Sequence, residues 1–298
     1  MSKIVFKTKY GKSILGKVED VLNQKKMEKY KGNINLIFTS PPFPLNRKKK
    51  YGNLQGEEYL EWFSNLATTF KEFLAEDGSI VIELGNSWEK GSPTMSTLST
   101  RAFIEFLDKG KLKLCQKFIW YNPAKLPSPA QWVNIDRIRV KDSYTEFWWM
   151  AKHEKPKANN KNVLLPYSNS MEKLLKTKKY NSGVRPSEHN INATTFSINN
   201  GGAIPPNVIT VANTSSDSDY FRYCRKEQLT PHPARMPEKL VEFFIKFLTD
   251  ENDIIFDPFG GSNTTGSVAE KLNRRWFSIE AETNYIEVSK GRFKNIVL

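Results

Sequence analysis

The tetrapeptide Ser40-Pro41-Pro42-Phe43 follows a strand-like run and carries groups that could act on a nucleobase. Prolines fix φ and lack an N–H group, so the loop is stiff and rich in acceptors. The Ser40 oxygen and the Pro41 carbonyl could hold the two hydrogens of an exocyclic amino group, and Phe43 could stack on a base flipped from a duplex. Alone, this tetrapeptide is equally typical of a rigid turn.

A glycine-rich turn near the C-terminus is the second candidate for chemistry. Residues 253–266 begin as a strand-like run, turn through Gly260 and Gly261 and open a helix, which favours a ligand at the helix N-terminus. The spacing matches neither GxGxxG nor a P-loop, so a phosphate is not required. The next strand-like run ends at Glu280, whose carboxylate could accept hydrogen bonds from both hydroxyls of a ribose. The pattern suits adenosine without phosphate, or simply a tight turn.

These loops need a sheet to position them. Strand-like runs occur at 34–39, 79–84, 112–121, 144–151, 253–257 and 276–280. Helix-like runs alternate with them at 57–75, 98–109, 237–249, 265–273 and 284–293. The alternation predicts an α/β fold with a mostly parallel, doubly wound, Rossmann-like sheet.

The pattern lapses at 152–228, which we interpret as an inserted, loop-rich region between the two parts of a catalytic domain, 1–151 and 229–298. The region holds twelve Lys or Arg, six Asp or Glu and eleven Asn residues. Arg and Asn suit the reading of base edges, because their forked groups match guanine and adenine. A solvated surface insertion would have a similar composition.

Composition favours a nucleic-acid partner and gives no sign of a membrane or metal role. The net charge is +13, which favours a polyanion. Cys115 and Cys224 support neither a disulfide framework nor zinc, so a reducing cytoplasm is expected. The histidines, His153, His189 and His232, lack metal-ligand spacing. The first ten residues do not resemble a signal peptide, and no apolar run is long enough to span a bilayer.

Taken together, the two loops resemble motifs of the β-class amino-methyltransferases of DNA, particularly the N4-cytosine enzymes of bacterial restriction–modification systems. Residues 39–43 are similar to their catalytic motif, and residues 256–266 to their cofactor motif, in the β order. Further similar segments are 120–129, 137–142, 200–207 and 232–235. The resemblance implies a seven-stranded S-adenosylmethionine-dependent methyltransferase fold that acts on double-stranded DNA, as a monomer or homodimer, with a restriction endonuclease acting separately.

The resemblance also implies roles for particular residues. The cofactor set comprises Asp257, Pro258, Phe259, Gly260, Gly261, Ser262, Thr264, Glu280, His232 and Met236. Residues 152–228 become the target-recognition region, whose densest base-reading cluster consists of Arg185, Ser187, His189 and Asn190. The family commonly has Gly-Asp where this chain has Gly16-Lys17, so the adenine contact stays open between Glu19, Asp20 and a backbone carbonyl.

Two further assignments come from the residues themselves. Arg47, Lys48 and Lys49 follow the catalytic loop and could grip phosphates, although such a run is also typical of a solvated loop. Glu83 ends a strand-like run and should point toward the same sheet edge as Ser40, either as a proton acceptor or as a charge that caps a strand.

The identity of the methylated atom is narrowed but not fixed by the sequence. Methylation at cytosine C5 needs a cysteine nucleophile, usually after a proline, and neither Cys115 nor Cys224 follows one. Ser40 favours cytosine N4, because adenine enzymes more often have Asp or Asn at that position. The alternatives are an N6-adenine enzyme, a non-catalytic nucleic-acid-binding protein and an RNA methyltransferase.

Overall fold

The computed structural model describes residues 2–43, 54–179, 182–188, 190–192, 198–213 and 218–298. They form two compact units, a larger one of residues 1–158 and 207–298 and a smaller one of residues 159–206. Among the described helices, none combines the length and apolar content needed to cross a bilayer.

The strands of the described residues number eleven. They are β1 Lys3–Lys7, β2 Gly11–Leu15, β3 Ile34–Thr39, β4 Leu74–Leu84, β5 Lys113–Tyr121, β6 Tyr144–Ala151, β7 Gly183–Val184, β8 Asn190–Ile191, β9 Val208–Thr210, β10 Ile254–Asp257 and β11 Arg275–Glu280. All but β7 and β8 form one sheet in the order β1-β2-β11-β10-β3-β4-β6-β5-β9. Neighbours from β2 to β4 are parallel, and β6 is antiparallel to both β4 and β5.

This sheet confirms the predicted α/β class. Seven of its strands, from β2 to β5 in the sheet order, form the sheet that the resemblance implied, and β1 and β9 extend it at the two edges. Pairing at the edges differs, since β1 is antiparallel to β2 whereas β9 is parallel to β5. The hairpin of β1 and β2 was not predicted, because its short strands carry lysines among their apolar residues.

The α-helices of the described residues are α1 Val18–Leu22, α2 Gly56–Phe73, α3 Leu98–Gly110, α4 Asn169–Thr177, α5 Ser218–Lys226, α6 Glu238–Leu248, α7 Thr264–Lys271 and α8 Thr283–Ser289. Helices of the larger unit cover both faces of the sheet. On one face α2 contributes Phe70, which packs edge-on against Phe256 of β10. On the other face α6 contributes Phe244, whose ring lies 5.5 Å from that of Phe38 in β3. Burial on both faces explains why the central strands are almost continuously apolar.

The smaller unit is built around α4 and the antiparallel pair of β7 and β8. The side chain of Ser168 accepts a hydrogen bond from the Met171 amide at 3.3 Å and caps α4, whose N-terminal amides would otherwise lack partners. Backbone bonds of 2.9 and 2.8 Å join Leu165 to Ala203 and close the unit.

The predicted insertion, 152–228, is wider than this compact unit. Its C-terminal part contains β9, which pairs with β5, and α5, which packs near α8, so both elements belong to the larger unit. The role of the region in target recognition remains a prediction.

Candidate active site

The candidate catalytic residues lie at the carboxyl edge of the parallel strands. In the register of β3 and β4, Thr39 pairs with Ile82, so that Ser40 and Glu83 follow as the next residues on neighbouring strands. The next strand on the other side of β3 is β10, which ends at Asp257. Loops after parallel strands meet at one edge of the sheet, and this edge is the usual ligand site of open α/β folds.

Ser40 and Glu83 are in contact at this edge. Burial raises the pKa of the Glu83 carboxyl to about 7, while a hydrogen bond from the Ser40 hydroxyl and the positive charge of Lys125 act in the opposite direction. The Glu83 residue is only 6% exposed. When the Ser40 hydroxyl donates its proton toward Glu83, the lone pairs of its oxygen stay free to accept hydrogens from another group. A carboxyl that titrates near neutrality can also accept a proton.

The ring of Phe43 packs against Gly85, a residue that no pattern in the sequence singled out. A Cβ added to Gly85 would lie 2.4 Å from Cε2 of Phe43, so only glycine leaves room for the ring there. The Gly85 carbonyl is fixed in turn by a 2.8 Å hydrogen bond from the Ser99 hydroxyl. Phe43 remains partly exposed beside buried Pro41 and half-buried Pro42, as a stacking platform requires.

Asp257 braces the candidate cofactor loop. Its carboxylate accepts hydrogen bonds from the hydroxyl of Thr39 at 2.8 Å, the hydroxyl of Thr265 at 2.7 Å and the amide of Phe259 at 3.1 Å. Burial raises the pKa of Asp257 to about 6, and these bonds oppose that shift. Through Asp257 the end of β3, the loop after β10 and the start of α7 form one rigid corner.

Glu280 ends β11 against the glycine turn. One carboxylate oxygen accepts from the Gly261 amide at 2.7 Å and the other from the Glu282 amide at 2.8 Å. Gly261 has φ +50°, and a Cβ added to Gly260 would approach that of Ser278 to 3.1 Å, so the turn favours glycine at both positions. A carboxylate has about four acceptor positions, so Glu280 keeps capacity for hydroxyl donors. Burial raises the pKa of Glu280.

The rest of the predicted cofactor loop begins α7. Asn263 adopts φ +55°, and its side-chain oxygen accepts from the Gly266 amide at 3.1 Å, which caps the helix. The Asn263 side-chain nitrogen is buried and has no hydrogen-bond partner among the described residues. The hydroxyls of Ser262 and Thr264 lie 3.3 Å apart, and Pro258 precedes them in the turn. Because buried donors are nearly always paired, the Asn263 nitrogen indicates a hydrogen-bond partner that the described residues do not supply.

Arg292 supports the same loop, and no spacing in the sequence revealed it. Its side chain is 2% exposed. Nε donates to the Ser262 carbonyl at 2.7 Å and Nη2 to the Ser262 hydroxyl at 3.3 Å. The guanidinium lies 4.7 Å from the centroid of the Tyr220 ring. Such a fork fixes both groups at once, because the guanidinium is planar.

Tyr220 connects this brace to the predicted His232 segment. The Tyr220 hydroxyl accepts a 2.9 Å hydrogen bond from the His232 amide. The His232 ring packs edge-on against Tyr285, and a Cβ added to Gly261 would lie 3.3 Å from its Nε2. His232 therefore borders the glycine turn, whereas Met236 is partly buried against the core under α6.

The predicted DNA-contacting residues are only partly described. Arg47, Lys48, Lys49 and His189 lie outside the described residues. Asn190 is exposed in β8 opposite Val184, and the Arg185 carbonyl accepts from the Glu188 amide at 2.8 Å in the connecting turn, where Ser187 is exposed. The structure thus brings Arg185, Ser187 and Asn190 onto one short hairpin of the smaller unit.

Comparison with known proteins adds a family to this geometry. The family model described as DNA methylase matches residues 34–291. The type II methyltransferase M.PvuII of Proteus hauseri is 45% identical over 263 residues, which cover 88% of this chain and 78% of that protein. A solved structure of the PvuII DNA methyltransferase (cytosine-N4-specific) matches with a TM-score of 0.79 and 36% identity over 98% of this chain and 89% of the other. The M1.HpyAVI–SAM complex, 21% identical with a TM-score of 0.54 over 95% and 98% of the two chains, supports the fold.

Proposed function

Because the chain belongs to the DNA methylase family, we propose that it transfers a methyl group from S-adenosylmethionine to the N4 amino group of cytosine in duplex DNA. Family membership confirms the resemblance that the two loops suggested. The observation that carries the choice of reaction is the contact between Ser40 and buried Glu83 at the sheet edge. Similarity over most of the chain to a methyltransferase described as cytosine-N4-specific supports the choice of atom.

The residues around the glycine turn fit S-adenosylmethionine. Glu280 has free acceptor capacity for ribose hydroxyls, and the buried Asn263 nitrogen offers an unused donor beside the turn. Residues assigned to the cofactor pocket are Asp257, Pro258, Phe259, Gly260, Gly261, Ser262, Thr264, Glu280, His232 and Met236. In this set Asp257 acts by shaping the loop, since it is only 5% exposed and already accepts three hydrogen bonds from protein donors. The cofactor supplies an electrophilic methyl group.

The catalytic loop prepares the amino nitrogen for attack. That nitrogen is a poor nucleophile, because its lone pair is conjugated into the base. The Ser40 oxygen and the Pro41 carbonyl each accept a hydrogen bond from the amino group, which favours a tetrahedral nitrogen whose lone pair is available. Phe43 stacks on the flipped base. A new N–C bond leaves the nitrogen with one proton too many. Ser40 relays this proton to Glu83, whose pKa of about 7 suits a proton acceptor at neutral pH.

Recognition of a particular DNA sequence is assigned to residues 152–228. Support comes from the exposed polar residues Ser187 and Asn190 and from half-buried Arg185 on the β7–β8 hairpin. We further infer a restriction–modification role in a bacterial or archaeal cytoplasm, in which methylation protects DNA from a separate endonuclease.

Transfer of labelled methyl groups tests this proposal. Wild-type protein, tritiated S-adenosylmethionine and duplex DNA should give labelled DNA, whereas a binding protein that has lost catalysis would give none. Ser40→Ala removes one acceptor of the amino group and should slow transfer by about a hundredfold. The matched control is Ser64→Ala, because that buried hydroxyl bonds to the Glu61 carbonyl within α2. Equal transfer by Ser40→Ala and the control would remove Ser40 from the mechanism.

A further inference from the structure

Two apolar side chains at the base of the β5–β6 loop face solvent. Val140 is 87% exposed and Leu126 is 80% exposed. Among the described residues, only the last residue of the chain, Leu298, is a more exposed large hydrophobic residue. Full burial of such a side chain stabilises a protein or complex by about 1.5–3 kcal/mol. A partner that buried both side chains would therefore form a more stable complex.

The loop holds these side chains on two arms that are bonded to each other. Lys141 Nζ donates to the carbonyls of Pro123 at 3.2 Å and Lys125 at 3.4 Å. The Asp142 amide donates to the Ser128 carbonyl at 3.2 Å. Leu126 and Val140 therefore lie on two loop arms that these hydrogen bonds join. Their backbone positions are fixed before any partner binds.

The part of the β5–β6 loop that lies next to the strands also borders the catalytic residues. Asp142 accepts a 2.9 Å hydrogen bond from Asn86, three residues after Glu83, and forms an ion pair with Lys125 at 3.4 Å. The charge of Lys125 acts on the Glu83 carboxyl. The two loop arms that carry Leu126 and Val140 are thus joined to the Glu83 end of β4, where the flipped base binds in the proposed reaction.

We propose that Leu126 and Val140 form an apolar wedge that enters the duplex where the target cytosine leaves it. The inference rests on the proposed function. Charge favours DNA as the occupant, because residues 123–143 carry four basic side chains against two acidic ones. Proteins that distort DNA commonly insert apolar side chains into the base stack. Filling the vacated space offsets the cost of flipping, which is a few kcal/mol when the base is paired.

The wedge predicts a dependence on base pairing that a merely structural loop would not show. The methylation site is first located by sequencing DNA modified by the wild type, and single-turnover rates are then measured on two duplexes. One duplex has guanine opposite the target cytosine and the other has an abasic site there. The combined variant Leu126→Ser, Val140→Ser should be about tenfold slower on the paired duplex and within about twofold of the wild type on the abasic one.

Two variants serve as controls. Leu126→Met combined with Val140→Ile keeps the apolar volume and should match the wild type on both duplexes. Val297→Ser removes a side chain that is 65% exposed beside β1, at the far edge of the sheet, and should have no effect.

Several outcomes would overturn the wedge. They are an equal deficit on both duplexes, no deficit on either, or a deficit of the same size in the conservative pair. A change in self-association of the serine variant, seen by sedimentation, would instead indicate an interface between two copies of the chain. A wild-type protein that methylates neither duplex would overturn the proposed function, and the wedge with it.

Discussion

Replacing Glu83 with Gln should slow methyl transfer and, above neutral pH, make the protein more stable. The substitution keeps the size of the side chain and an oxygen that can accept from Ser40. It removes the group that takes up the proton of the amino nitrogen, and it also removes a carboxyl that is buried almost completely. Activity and stability should therefore change in opposite directions.

The size of the stability effect follows from the pKa of Glu83, which burial raises from 4.5 to about 7. Because the folded protein holds this proton more tightly than the unfolded chain, the contribution to stability is fully present below the unfolded pKa. It is lost as the pH rises through the folded pKa, and the loss by pH 8 amounts to about 3 kcal/mol. Gln titrates nowhere in this range, so the free-energy difference between the proteins should grow by most of that amount between pH 5 and pH 8.

Urea unfolding of both proteins at pH 5 and pH 8 measures this difference, and single-turnover methylation at the same pH values measures the rate. Other titrating groups, including Asp257, are shared by the two proteins and should largely cancel in the comparison. A free-energy difference that does not change with pH would refute the account of Glu83 as a buried carboxyl. An undiminished rate would refute its part in proton transfer.

Two further predictions concern the loops around the site. Arg292→Lys should raise the dissociation constant of S-adenosylmethionine about tenfold in calorimetry, because an ammonium cannot replace the planar fork on the cofactor loop. Arg274 makes the same kind of fork on Thr249, at the start of β11 and away from the glycine turn at its end. Arg274→Lys should therefore lower the stability of the protein but leave the dissociation constant of S-adenosylmethionine unchanged. Equal constants for the two variants would contradict the brace. Phe43→Ala should weaken duplex binding in fluorescence anisotropy by about 1–3 kcal/mol, and unchanged affinity would exclude stacking.

The central sheet and its helices were largely predictable because their residues are periodic. The strands Ile34–Thr39 and Tyr144–Ala151 have the predicted bounds, and the helix Leu98–Gly110 ends one residue later than predicted. These elements bury continuous apolar runs or one apolar face, and this periodicity is the strongest indication of secondary structure in a sequence. The first strands, Lys3–Lys7 and Gly11–Leu15, form a hairpin at the sheet edge and contain apolar runs of only two or three residues beside lysines, so they gave no such signal.

The site was predictable only where motifs lie next to strand ends. Ser40 and Glu83 could be placed at one edge, because the first follows and the second ends a strand of the same parallel pair. Gly85 and Arg292 could not be found in this way. One acts by leaving room for the Phe43 ring, and the other reaches the Ser262 loop across 30 residues of chain. Contacts of this kind depend on tertiary packing and leave no local spacing.

The most direct test of the account identifies the methylated atom. DNA modified by the wild-type protein is digested to nucleosides, and the products are separated and identified by mass spectrometry against authentic standards. The serine of the catalytic loop, the absence of a cysteine from that loop and the similarity to a cytosine-N4-specific methyltransferase predict N4-methylcytosine as the product. N6-methyladenine or 5-methylcytosine as the sole methylated nucleoside would contradict it.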